Sequence, residues 1–167
     1  QAGELQCRGP VVTRGYYRDP EANARAFTPD GWLKTGDVGR FDQDGCLELL
    51  GRLSDMYKIN GENVPPEFVE RVIGGCGLVA HVEVIGVPDP KTGEAGAAFL
   101  ELQPGAEPAA ALDEIRQYCR HHLARYQIPK YYQLLYPDEW PVTGSGKISK
   151  RLLKAMVRDE RLQAQKS

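Results

Sequence analysis

Trp140-Pro-Val-Thr-Gly-Ser-Gly-Lys147-Ile-Ser-Lys-Arg151 sets one lysine on a Gly/Ser-rich turn, just ahead of a basic, amphipathic segment. Glycines leave backbone N–H groups open and allow close approach to a polyanion. A lysine at the tip is a compact point charge on a flexible stem. The combination suits a cation delivered to a carboxylate or a phosphate. The stretch is not a Walker P-loop. That motif needs a Gly five residues before the Gly-Lys pair and Ser or Thr directly after it. Here Pro141 and Ile148 hold those places. Taken alone, the stretch reads equally well as a solvated turn ahead of a helix.

Two upstream segments decide between these readings. One is Gly31-Trp-Leu-Lys-Thr35-Gly36-Asp37-Val-Gly-Arg40. The other is Gly51-Arg52-Leu-Ser-Asp55-Met-Tyr-Lys58-Ile-Asn-Gly61-Glu62-Asn-Val-Pro-Pro-Glu67. In this order, and followed by Pro-Val-Thr-Gly-Ser-Gly-Lys147, they resemble the adenylate-forming superfamily. Its members include acyl- and aryl-CoA ligases, nonribosomal peptide adenylation domains and beetle luciferases. Gly3-Glu-Leu5, Arg8-Gly-Pro10 and Gly15-Tyr-Tyr17 are similar to the segment before the family's Thr-Gly-Asp motif. Ile85-Gly-Val-Pro-Asp89 and Tyr126-Gln-Ile-Pro129 are similar to its later landmarks. The resemblance covers essentially the whole chain.

Composition bounds the remaining possibilities. The 167 residues suffice for one ordinary domain, or for a small domain with part of a neighbour. A hydrophobic content of 41% describes a globular protein. No apolar run approaches the ~20 residues needed to cross a bilayer, so no transmembrane segment is expected. The chain starts at Gln1 rather than Met, which reads as a cut piece of something longer. Cys7, Cys46, Cys76 and Cys119 are scattered, with no CxxC pair and no His at metal spacing. They read as free thiols in a reducing cytoplasm, and no metal site is expected. The net charge of -2 gives no bulk attraction to nucleic acid. Lys147, Lys150, Arg151, Lys154, Arg158, Arg161 and Lys166 make the tail basic, but no aromatics interleave with them as a nucleic-acid surface would want.

The pattern of elements changes near residue 51. Before it, Gly, Pro and Asp punctuate short strands. Asp19 is placed to cap a short helix opened by Pro20 and running through 22–27. Residues 42–45 read as a hairpin turn between strands 38–41 and 46–50. This part has open strand edges and too little apolar surface for its own core. It reads as the C-terminal end of a large AMP-binding domain, 1–51, whose edges are free to pair with another copy. From 52 to 167 the pattern is α+β (mixed α/β). A short strand at 57–60 precedes a helix opened by Pro65-Pro66, running through 67–73 and stopped by Gly74-Gly75. Strands follow at 79–87 and 96–102, then a helix at 109–124 with Leu112, Ile115, Cys119 and Leu123 on one face. A third long strand is expected at 131–136. A last helix at 148–162 would turn Ile148, Leu152, Ala155 and Met156 inward. Three main strands plus a short hairpin packed with helices fit the family's mobile C-terminal domain.

The resemblance implies an ATP-dependent acid–thiol ligase working in two half-reactions. A carboxylate attacks the α-phosphate of ATP, with Mg2+, giving an acyl-adenylate and pyrophosphate. The thiol of coenzyme A then attacks the acyl carbon, and AMP leaves. It implies that Lys147 is the catalytic lysine of the first step, reaching the carboxylate, the α-phosphate and the ribose. Asp37 and Arg52 would bind the ribose of the nucleotide. Ser54 would be the hinge, at a place usually held by Asp or Lys. Pivoting there would withdraw the lysine loop and bring up the loop of Lys58, Gly61 and Glu62, with Gly61 lining the pantetheine passage. The phosphate loop, the acid pocket and the Mg2+ ligand would belong to the N-terminal domain, so this chain by itself is expected to be inactive. Two alternatives stay open. One is an adenylation domain that loads a carrier protein. The other is a non-catalytic interaction module, against which the joint presence of Asp37, Arg52 and Lys147 argues.

Overall fold

The computed structural model describes residues 2–144 and 146–157. They form two compact units, divided between Ser54 and Asp55. Arg158, Arg161 and Lys166 of the basic tail, and the expected end of the last helix, lie outside the described residues, as do Gln1 and Ser145.

The first unit contains β1 (Gly3–Cys7), α1 (Pro20–Ala26), β2 (Leu33–Phe41) and β3 (Leu47–Arg52). The strands pair antiparallel in the order β1-β2-β3. Asp19 caps α1, its carboxylate accepting the Ala22 N–H at 2.9 Å, and Pro20 opens the helix. The β2–β3 turn is fixed by Asp42, whose Oδ1 accepts the N–H groups of Asp44 and Cys46 at 3.0 and 2.8 Å. Val38 is its one buried hydrophobic side chain among the described residues, while Phe41 and Leu49 are 67% and 61% exposed. The unit ends later than residue 51. β3 runs to Arg52, and the Leu53 N–H still bonds the Gly36 carbonyl at 2.8 Å.

The second unit holds β4 (Tyr57–Ile59), β5 (Glu62–Val64), α2 (Pro66–Gly74), β6 (Val79–Asp89), β7 (Gly93–Leu102), α3 (Pro108–His122), β8 (Tyr131–Leu134) and α4 (Lys150–Met156). Its sheet runs β5-β4-β7-β6, with β8 parallel to β7. Strand β7 is buried continuously from Ala95 to Leu100 because both faces are covered. Alternate residues divide between two cores. Ala98 and Leu100 join Val84, Val69, Ile73, Ile115 and Cys119 on one side. Ala97 and Phe99 join Ile85, Leu135, Trp140 and Leu153 on the other. Gly86 and Gly96 are register partners, and Tyr57 packs across them. A Cβ on Gly86 would sit 2.2 Å from the Tyr57 Cβ, so the glycine there is a packing requirement.

Three expectations about elements are corrected. Ile148 is not helical: it pairs with Val142 as an isolated bridge, and α4 begins after Ser149, whose side chain caps it. The inward residue of α4 is Leu153, fully buried, while Leu152 is 40% exposed and Ala155 is exposed. Leu153, Met156 and Val157, spaced i, i+3 and i+4, are the stripe turned to the core of Ile85 and Phe99. Strand β8 stops at Leu134 instead of 136; Tyr136 turns its N–H to Glu139 Oε2 at 2.9 Å, and Pro137 has no N–H to donate.

Candidate active site

Asp37 and Arg52 face each other in the register of β2 and β3. Arg52 Nε donates to Asp37 Oδ1 at 2.8 Å, and their side chains are 60% and 33% exposed. The Thr-Gly-Asp turn is built from within. Thr35 Oγ1 donates to the Leu5 carbonyl at 2.9 Å and accepts the Asp37 N–H at 3.0 Å. Gly36 has φ +73°, and its N–H reaches Glu4 Oε1 at 3.2 Å. A carboxylate fixed this way and still open to solvent can accept hydrogen bonds from vicinal hydroxyls, which are stronger for being charge-assisted.

Lys147 belongs to the second unit, on a narrow hairpin. Its carbonyl accepts the Thr143 N–H at 2.7 Å, and its own N–H donates to Thr143 Oγ1 at 3.3 Å. The Gly146 N–H bonds the Thr143 carbonyl at 2.8 Å, with Gly146 at φ +78°. The bridge between Val142 and Ile148 and the Ser149 N–H to Pro141 carbonyl bond, 2.8 Å, close the base. Lys147 is exposed at the rim of this turn. Such a cation can be offered to an anion without reorganising its backbone.

Lys58, Gly61 and Glu62 lie on the β4–β5 hairpin. Asn60 and Gly61 form its two-residue turn, with φ +52° and +90°. Positive φ at both positions is what the tightest hairpin turn demands. A Cβ on Gly61 would meet nothing within 4 Å. Lys58 and Glu62 are exposed, and the Lys58 N–H is held by Glu94 Oε2 at 2.7 Å. Beside the turn is a cavity of about 540 Å³ bordered by Asn60, Thr92, Arg125, Tyr126 and Lys130. Ser54 lies in the turn between β3 and β4.

Several structural partners escaped the sequence reading. Lys150 Nζ donates to Glu70 Oε1 at 2.7 Å and lies 3.5 Å from Glu83 Oε2. Trp140 Nε1 donates to Glu101 Oε2 at 2.7 Å, and its ring meets His81 edge-on, centroids 4.7 Å apart. Asp89 is buried against Lys130, Thr92 and Tyr131. Apart from Thr92, three residues after Asp89, these bonded partners are far apart in sequence, so no local pattern announces them. Among the described residues no group of three or more His, Cys, Asp or Glu could hold a metal ion. Among the same residues no helix is long and apolar enough to cross a membrane.

Residues 69–147 match the AMP-binding enzyme C-terminal domain family. The chain is 44% identical, over 156 residues, to a (7a-methyl-1,5-dioxo-octahydro-1H-inden-4-yl)propanoyl:CoA ligase of Mycobacterium tuberculosis, covering 92% of this chain and 30% of that ligase. It superposes on the amide bond synthetase McbA of Marinactinospora thermotolerans with a TM-score of 0.85 and 37% identity, over 94% of this chain and 31% of the other. With the o-succinylbenzoate CoA synthetase of Bacillus subtilis, solved with its acyl-adenylate intermediate, the TM-score is 0.78 and the identity 35%, over 95% and 31%. The chain thus spans about a third of the length of these relatives. Sequence and fold agree throughout that span: the chain belongs to the adenylate-forming superfamily, in the part that includes its C-terminal domain.

Proposed function

We propose that the intact protein activates a carboxylic acid with ATP and Mg2+ as an acyl-adenylate and transfers the acyl group to coenzyme A. The observation that carries this is the pairing of an open, fixed Asp37 carboxylate with Arg52, in a chain that also presents Lys147 on a tight hairpin. Asp37 accepts the ribose hydroxyls, and Arg52 orients it. Lys147 places its ammonium where the attacking carboxylate meets the α-phosphate. Two anions must approach there, and charge builds on the phosphoryl oxygens. At ~4 Å and an effective dielectric near 20, each such contact is worth roughly 4 kcal/mol before desolvation. A surplus of only ~3–4 kcal/mol in the transition state gives about 10²- to 10³-fold in rate.

Ser54 then serves as the pivot, and the domain boundary belongs at this turn. Pivoting exchanges the Lys147 hairpin for the β4–β5 hairpin, where Gly61 leaves room for the thiol arm between Lys58 and Glu62. The remainder of the protein supplies the acid pocket, the phosphate loop and the Mg2+ ligand, and this chain by itself is inactive. Its free thiols fit a cytoplasmic setting. The test is Lys147→Ala in the intact enzyme, with both half-reactions measured. Adenylate formation, followed as pyrophosphate release, should fall at least ~10²-fold, while thioester formation from supplied acyl-adenylate is largely spared. Equal losses in both steps would remove the assignment. A carrier protein accepted in place of coenzyme A would move the acceptor to the other branch of the family.

A further inference from the structure

The Lys147 hairpin is fastened at both ends by side chains that the reaction itself does not use. Three residues after Lys147, Lys150 reaches back to α2 and β6. Its Nζ donates to Glu70 Oε1 at 2.7 Å and lies 3.5 Å from Glu83 Oε2. All three side chains are mostly buried, with exposures of 22%, 17% and 16%. Glu70 Oε1 also accepts the Val84 N–H at 2.8 Å, which ties the cluster to the sheet backbone. Before the hairpin, Trp140 is buried, bonded to Glu101 and packed on His81. His81 Nε2 in turn lies 3.4 Å from Glu83 Oε1. Glu83 therefore stands between the two fastenings.

A cation and two carboxylates taken largely out of water are an expensive way to hold one short helix. Breaking such a group is far more disruptive than replacing it whole, because the orphaned charge stays behind. Burial pushes the Glu70 carboxyl up, with Lys150 opposing that rise. Burial also works against the Lys150 ammonium, yet Glu70 and Glu83 outweigh it and hold its pKa above the ordinary value. The Ile85, Phe99 and Leu153 core beneath already buries the apolar side of α4. What the ionic cluster adds is direction: Lys150 can satisfy two carboxylates on different elements only in one placement of the chain that leaves the hairpin.

We propose that Lys150, held by Glu70 and Glu83, is a positioning residue for Lys147, fixing the base of its hairpin so that the ammonium is presented in one place. This rests on the reading of Lys147 as the adenylation lysine. Positioning within a fraction of an ångström is what the first half-reaction requires of a cation that must serve two anions together.

The experiment compares Lys150→Met, Lys150→Arg, Glu70→Gln and Lys147→Ala in the intact enzyme. Lys150→Met should lower kcat of adenylate formation about tenfold or more, with thioester formation from supplied acyl-adenylate within about twofold of the parent. Lys150→Arg, which keeps a cation for both carboxylates, should recover most of the loss. Glu70→Gln is the milder probe if Lys150→Met folds poorly, and should show the same split at smaller size. Amide exchange on the 167-residue chain gives a second readout. In Lys150→Met the Thr143, Lys147 and Ser149 amides should exchange faster, with Phe99 and Leu100 unchanged. Equal slowing of both half-reactions, no slowing of the first, or exchange that rises uniformly would overturn the proposal. If Lys147→Ala cripples adenylation and Lys150→Met does not, the positioning role alone falls. If Lys147→Ala leaves adenylation intact, the reading of Lys147 falls and takes the proposal with it.

Discussion

Arg52 donates its Nε–H to Asp37 Oδ1 at 2.8 Å, across facing positions of two antiparallel strands. The pair is too exposed to matter much for folding, since such ion pairs contribute about 0–1 kcal/mol. On the proposed function, its value lies in aiming a carboxylate. In the intact enzyme, Asp37→Ala should raise KM for ATP by roughly 10- to 100-fold, the worth of one hydrogen bond to a charged group at ~1.5–3 kcal/mol. Arg52→Lys keeps the charge but loses the planar fork, and should give a smaller rise. Thermal unfolding should be nearly unchanged in both. Unaltered nucleotide affinity in Asp37→Ala would remove it from the site.

The second prediction concerns Ser54. Proline there would fix φ near -65° and remove a backbone donor. If this turn absorbs the dihedral change between two conformations, Ser54→Pro in the intact enzyme should slow one half-reaction far more than the other. Ser54→Ala should do neither, because a pivot residue needs freedom of backbone and not a particular side chain. Equal rates in both steps for Ser54→Pro would move the pivot elsewhere.

The elements that the sequence announced were those with local causes. Asp19 before Pro20, Asp42 before Gly45, and Pro65-Pro66 ahead of an apolar stripe each carry their geometry within a few residues, and each is found where it was expected. The start of α4 was misread because Ile148 continues an apolar pattern that the chain spends on a bridge to Val142. The candidate site residues are singled out only through their resemblance to a family. Spacing alone does not say that Asp37 and Arg52 meet; the β2–β3 register does, and that register is displaced by a bulge at Val38/Gly39. The Glu70–Lys150 pair was illegible because 80 residues separate its members. Only the packing of α4 against α2 and β6 brings them together.

A third prediction separates two reasons for a glycine at position 61. The turn alone calls for it, since φ is +90°. A Cβ there meets nothing within 4 Å, so the first added carbon strains the backbone without a clash. Gly61→Ala and Gly61→Leu should therefore cost stability alike, about 1–2 kcal/mol. Their effects on rate should differ. Thioester formation in the intact enzyme should fall further with Leu than with Ala, while adenylate formation follows stability only. If both variants slow thioester formation equally, Gly61 is a turn residue and not part of a passage.

The last prediction concerns Asp89, whose side chain is fully buried. Lys130 donates to it, and holds its carboxyl well below the usual carboxylate range against the opposing effect of burial. The Lys91 and Thr92 N–H groups, at 3.0 and 3.1 Å, and the Thr92 hydroxyl, at 2.9 Å, add to this. A folded pKa below the unfolded value of about 3.9 means that the unfolded chain binds the proton first. The stability contributed by Asp89 is therefore complete above that unfolded value and is lost as pH falls through the folded one. Between the two, stability should drop by about 1.4 kcal/mol per pH unit on account of this group. Asp89→Asn should lower stability at neutral pH by roughly 1.5–3 kcal/mol, the worth of a hydrogen bond to a charged group. Lys130 is 44% exposed and can turn to water, which keeps the loss below that of a wholly buried pair. The variant should also lose its share of the acid slope. Urea unfolding of the chain at a series of pH values from neutral down to 2.5 measures both effects. A variant that unfolds with the parent's acid dependence would mean that other carboxylates set the slope and that Asp89 is not held low.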